Sequence, residues 1–237
     1  MIIAKQLLKA KAIFGLFEAN TVDDDDIVIS KSGKELIRFR TLRQQLHKKA
    51  GIANFALADF IAPKETGIQD YMGAFCVAIF GVDELAQQYK DKHDDYNAIM
   101  VQAIADRFAE AFAEYLHQQI RMKHWGYDAQ ENLKNEELIK EAYTGIRPAP
   151  GYPACPDHLE KDSIWALLGV EENIGVTLTE SKAMWPASAV SGYYFAHPES
   201  RYFGLGKITE EQVADYAQRK GISKEMAMKW LEPNLSV

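Results

Sequence analysis

The sequence predicts an α+β fold built on a mostly antiparallel sheet, and three observations predict it. Strand-like runs separated by turn residues occupy residues 12–80. A long stretch from Val82 onward carries apolar residues at helical spacing. No Gly-x-Gly-x-x-Gly turn opens a β-α-β unit, which removes the usual signature of a doubly wound parallel sheet.

Taken in order, residues 2–11 read as a short helix and Ala12–Ala19 as a strand with Gly15 inside it. Asp23–Asp26 is an acidic turn, read as a solvated loop; it lacks the alternate-position carboxylates, glycine and distal Glu of a calcium loop. Ile27–Ser30 and Glu35–Arg40 alternate around Lys31-Ser32-Gly33-Lys34 and predict a β-hairpin. Phe55–Ile61 and Tyr71–Phe80 read as strands bracketing the turn Pro63–Gly67. A helix begins near Val82 and resumes at Asp94. Its predicted packing stripe is Ile99, Met100, Ala103, Ile104, Phe108, Ala111, Phe112, Tyr115 and Leu116. Asn135–Glu141 and Leu159–Leu168 follow as short helices, the second with Asp157 as its N-cap. Strand-like runs alternate over residues 176–206 around the turn His197-Pro198-Glu199-Ser200. Glu210–Lys220 and Lys224–Leu231 close the chain as helices separated by Gly221.

At 237 residues and 47% hydrophobic, the chain can bury a proper core. With no internal repeat or obvious linker, residues 1–237 read as one domain. A net charge of −7 excludes a nucleic-acid binder, because no basic stripe exists to replace phosphate counterions. Cys76 and Cys155 make neither a disulfide framework nor a zinc quartet. Without a signal-peptide core or an apolar run able to span a bilayer, no membrane role is expected and a cytoplasmic location fits.

Several constellations reduce to plain structure. Gly204-Leu205-Gly206 is a lone Gly-x-Gly pair, read as strand glycines. Asp91-Lys92-His93-Asp94-Asp95 sits where a helix begins, so capping accounts for it better than a metal does; no metal site is predicted. Cys155 with His158 suggests a nucleophile and base, but prolines flank the Cys and no oxyanion-hole signature accompanies it. Asp106, Glu110 and Glu114 recur at i, i+4 and i+8 and share a helix face. That face is either a solvated acidic stripe or a docking face for a partner.

Residues 147–158 stand apart: Arg-Pro-Ala-Pro-Gly-Tyr-Pro-Ala-Cys-Pro-Asp-His. Each proline removes a donor and fixes φ, so the run forms neither helix nor central strand. It is a stiff extended loop with free carbonyls. Gly151 admits close approach to the backbone, between the ring of Tyr152 and the guanidinium of Arg147. Such a shelf suits a small ligand with a carboxylate and an aromatic or cationic part. Composition alone also allows a plain connector.

The same run, with Glu160-Lys161 and Trp165 after it, closely resembles the C-terminal activation domain of cobalamin-dependent methionine synthase. The resemblance runs through Leu57–Lys64, Asp70-Tyr71, Gly73–Phe75, His93–Asn97, Ala105–Arg107, Ala109–His117 and Trp125–Tyr127. It continues in Leu178–Ser181, Ala183–Pro186, Ser191-Gly192, Tyr194-Phe195, Asp215–Ala217, Arg219–Gly221 and Trp230-Leu231. It implies a C-shaped α+β domain that binds S-adenosylmethionine and remethylates oxidised cobalamin held by a neighbouring module, with one electron from a flavodoxin or flavin reductase. By the same resemblance, Arg147, Ala149, Gly151 and Tyr152 contact the ligand. Glu141 is an acidic position near it, and Tyr202 and Phe203 are an aromatic pair able to face a sulfonium. Those two are equally at home as core-packing strand residues. Asp106 and Glu110 are the expected contacts to the cobalamin module. No catalytic side chain is implied, and the chain alone is not expected to run the full methyl transfer. The family's upstream Asp-Trp pair followed by Pro-Phe-Phe, whose Asp contacts the ligand amino group, is not found, and the match begins near Gly15. The expectation is therefore a piece of a larger enzyme or a free-standing relative. A docking or chaperone protein for a cobalamin domain, using no methyl donor, is the alternative.

Overall fold

A Ser32-Gly33 turn closes one hairpin of the computed structural model, which describes residues 7–236. Strand β1 (Lys9–Val22) pairs antiparallel with β2 (Asp26–Lys31), and β2 pairs antiparallel with β3 (Lys34–Arg40). Ile29 faces Ile37 across the hairpin, and the register slips by a bulge between Ile29 and Ser30. With β4 (Asp70–Phe80) and β7 (Ala189–Tyr194) these strands form a sheet of order β3-β2-β1-β4-β7. A two-residue pair, β5 (Thr177–Leu178) and β6 (Met184–Trp185), stands apart from it. The α+β class and the mostly antiparallel sheet are as expected.

The chain divides into two compact units. The first comprises Met1–Gly15 (described from residue 7), Phe75–Tyr143 and Leu168–Ser191. Here helix α1 (Val82–Lys90) packs with α2 (Asp95–Gln119), around Ile79, Val82, Leu85, Val101, Ala105 and Ala109. Asp94 caps α2, its carboxylate accepting the Asn97 amide N–H at 3.1 Å. The buried face of α2 keeps only Leu116 of the predicted stripe: it is Ala98, Val101, Ala105, Ala109, Ala113, Leu116 and His117, while Ile99 is 66% exposed and Tyr115 56%. Alanines let the helix axis approach its neighbours closely, and the bulky residues are displaced to the outer face. Helix α2 runs into one wide turn at Ile120–His124, closed by the Trp125 N–H on the Ile120 carbonyl. Arg121 in that turn is fully buried, paired with Glu131 and stacked 3.8 Å from the Tyr143 ring. The short helices α3 (Asn135–Ile139) and α5 (Val170–Ile174) complete this unit.

The second unit comprises Leu16–Ala74, Thr144–Leu167 and Gly192–Val237. Helix α4 (Glu160–Leu168) begins in it, and α6 (Glu210–Lys220) and α7 (Lys224–Leu231) have the predicted bounds. Thr209 and Ser223 cap α6 and α7, and Gly221 ends α6 in the left-handed conformation. Leu42, Leu205, Ile208, Val213, Tyr216, Ala227 and Leu231 form the core there.

Three expectations need correction. The helix predicted over residues 2–11 is in part outside the described residues; residues 9–11 belong to β1. Phe55–Ile61 is no strand but a 3-10 turn at Leu57–Phe60. There the Asp59 carboxylate takes the Ala56 N–H at 2.9 Å and a two-point contact from Arg43. The acidic turn is not simply solvated: Asp26 is buried between Arg38 and Arg219. Among the described residues no cluster of His, Cys, Asp or Glu could hold a metal, and no helix is long and apolar enough to cross a membrane.

Candidate functional site

Proline-rich sequence leaves residues 147–155 without a ladder of their own, and isolated hydrogen bonds from the second unit hold the loop instead. Ile146 and Phe195 exchange both backbone bonds at 3.0 Å, and the Tyr193 N–H reaches the Pro148 carbonyl at 2.9 Å. The Leu205 N–H reaches Pro153 at 2.8 Å. Within the loop, Gly151 donates to the Cys155 carbonyl at 2.7 Å, Cys155 donates to Tyr152 at 2.9 Å and Tyr152 to Ala149 at 3.1 Å. These bonds tie the turn into one conformation.

The structure brings most of the predicted ligand residues together. The Arg147 backbone N–H donates to the Tyr202 hydroxyl at 3.0 Å, so the aromatic position and the arginine position are directly joined. Tyr152 and Tyr202 remain exposed, while Phe203 turns inward against Phe55 and Phe60. Phe203 thus sits among aromatic rings and Tyr202 stands open to solvent, both outside any strand. Glu141 lies in the first unit, exposed in a left-handed turn two residues past α3. Gly204-Leu205-Gly206 is irregular chain rather than strand, with Leu205 fully buried.

Under the loop lies a charged cluster that sequence reasoning missed. Asp157 accepts from the Tyr216 hydroxyl at 2.6 Å, lies 3.1 Å from the Lys220 ammonium and accepts the Leu159 N–H at 2.7 Å just ahead of α4. Lys220 also pairs with Glu160. Burial pushes the Glu160 carboxyl up, with Lys220 opposing it. Burial works against the Lys220 charge, yet Glu160 and Asp157 hold its pKa above the ordinary value. Burial, then Glu160 and Asp157, push the Cys155 thiol far up. A thiol held neutral and buried is no nucleophile.

On α2, Asp106 accepts from the buried Ser188 hydroxyl at 2.6 Å, and Glu114 lies 3.4 Å from the Tyr143 hydroxyl. Glu110 between them is exposed. The stripe is thus partly committed to its own unit: Asp106 and Glu110 are both exposed, and Asp106 also takes the Ser188 bond.

Residues 1–221 match the family model described as the activation domain of vitamin B12 dependent methionine synthase. Among solved structures, the chain is similar to the MetH reactivation domain bound to AdoHcy. The identity is 52% and the TM-score 0.96, over 100% of this chain and 73% of that one. With the loop, its aromatic partner and the sheet in place, the chain belongs to the family of vitamin B12-dependent methionine synthase activation domains.

Proposed function

We propose that this chain binds S-adenosylmethionine on the 147–152 shelf and uses it to restore cobalamin held by a neighbouring module. The observation that carries the reading is the tied loop itself. Arg147, Ala149, Gly151, Tyr152 and Tyr202 converge there, and the similar reactivation domain is described with AdoHcy, the demethylated form of that ligand. The shelf fits such a ligand chemically. A planar guanidinium can grip a carboxylate at two points, loop backbone groups can meet an adenine, and the exposed Tyr202 ring can face a sulfonium. Ala149 and Gly151 keep the backbone accessible. Glu141, in the first unit, is the acidic position that the resemblance implies.

The reaction supported is reductive methylation. One electron from a flavodoxin or flavin reductase reduces cob(II)alamin, and the methyl group passes from sulfur to cobalt with S-adenosylhomocysteine leaving. As a module of a methyltransferase, the chain supplies the methyl donor and a docking face, with Asp106 and Glu110 toward the cobalamin module. Of the basic run Arg121, Lys123 and His124, Arg121 is fully buried and offers no surface to an acidic electron donor.

Calorimetric titration with S-adenosylmethionine tests the reading. Saturable one-to-one binding is expected, and no binding would leave only a docking role.

A further inference from the structure

Gly151 holds φ at +95°, and the space where a β-carbon would lie is already filled. Cε1 of His158 is 2.1 Å from that position, Nδ1 2.6 Å and Nε2 2.7 Å. The imidazole edge is wedged beneath the residue of the shelf that has no side chain. The ring also lies near Trp230, with centroids 6.2 Å apart. Nδ1 is buried and has no hydrogen-bond partner among the described residues.

A neutral imidazole can occupy this wedge with its proton on Nε2 and a bare lone pair on Nδ1. An imidazolium carries N–H donors on both nitrogens, so one of them would be buried without an acceptor. The charged groups facing the ring are Lys161 of α4 and Asp157 of the loop. Burial and then Lys161 hold the histidine below its ordinary range, against Asp157.

We propose that His158 is a positioning residue for the shelf: neutral, it props Gly151 in the binding geometry, and protonated, it must leave the wedge, so methyl-donor binding weakens as pH falls. This rests on the ligand reading above. The ligand-bound state then holds fewer protons than the free state. The dissociation constant should be flat at alkaline pH and rise on acidification, approaching about tenfold per pH unit below the His158 pKa.

S-adenosylhomocysteine is titrated by calorimetry into the 237-residue chain and into H158Q from about pH 8 down to about pH 5, the range over which histidine changes charge. Glutamine is polar and does not titrate there. In parallel, the His158 Cε1–H resonance is followed by NMR against pH in the free and the loaded wild-type chain. The expected result is a sloping profile for wild type, a flat and weaker one for H158Q, and a His158 pKa that ligand lowers further. A slope that persists in H158Q, or a His158 pKa that ligand leaves unmoved, overturns the inference alone. Absence of binding at about pH 8 overturns the ligand reading and the inference with it. If H158Q does not fold, the wild-type NMR pair decides.

Discussion

Arg147 shows how a single residue divides its labour. The bond that ties the loop to Tyr202 is made by its backbone N–H, which any replacement except proline keeps. Arg147→Ala therefore keeps that bond. Losing a charge-assisted, two-point contact typically costs about 1.5–3 kcal/mol, so S-adenosylmethionine binding by calorimetry should weaken roughly ten- to a hundredfold. Arg147→Lys should recover only part of this, because an ammonium keeps the charge and loses the fork. Gly151→Ala is the contrasting case, since a β-carbon would meet the His158 ring in a backbone conformation that alanine disfavours. Binding should fall further than in Arg147→Ala, and the melting temperature should drop with it. Cys155 adds a chemical check: buried and far from ionising, it should resist alkylation in the folded chain and react once denaturant is added.

Among the elements, α2 gives the sharpest test of packing. Ala109 is buried against its neighbours, whereas Phe108 is 40% exposed. Ala109→Leu should destabilise the chain by about 1–3 kcal/mol through overpacking, while Phe108→Ala should stay within about 0.5 kcal/mol; denaturant titrations read both. The hairpin, α6 and α7 were legible in the sequence because their punctuation is local: Lys31–Lys34 and Gly221. The inward face of α2 was not legible, since apolar size alone cannot tell a residue packed at close range from one displaced outward. Phe55–Ile61 misled for a related reason, its apolar run being turned by a contact between Asp59 and Arg43, 16 residues away in the chain. At the site, the proline loop announced itself by composition. Its supports did not, because His158 beneath Gly151 and Tyr216 and Lys220 against Asp157 are products of packing. The Lys220 contacts predict a large effect: Lys220→Met strands two buried carboxylates and should cost about 3–5 kcal/mol.

For the whole molecule, partner docking is the property that the acidic stripe of α2 puts at stake. Asp106 is tied to Ser188, so reversing its charge alters local structure as well as surface potential. Glu110 is exposed, and Glu110→Lys should leave stability within about 0.5 kcal/mol. If that face meets the cobalamin module, reductive methylation in the reconstituted enzyme should nonetheless fall. Unchanged turnover would return the stripe to a solvated surface.

The Tyr216–Asp157 bond joins positions 59 residues apart, and the Lys220–Glu160 pair spans 60. Loop closure over such a span must precede the gain from these contacts. During synthesis the shelf at 147–152 therefore emerges from the ribosome long before the helix that anchors its base. A nascent chain arrested ahead of Tyr216 can hold the whole ligand sequence and still lack an ordered site, so capture of the nucleoside should appear late and abruptly as translation passes α6.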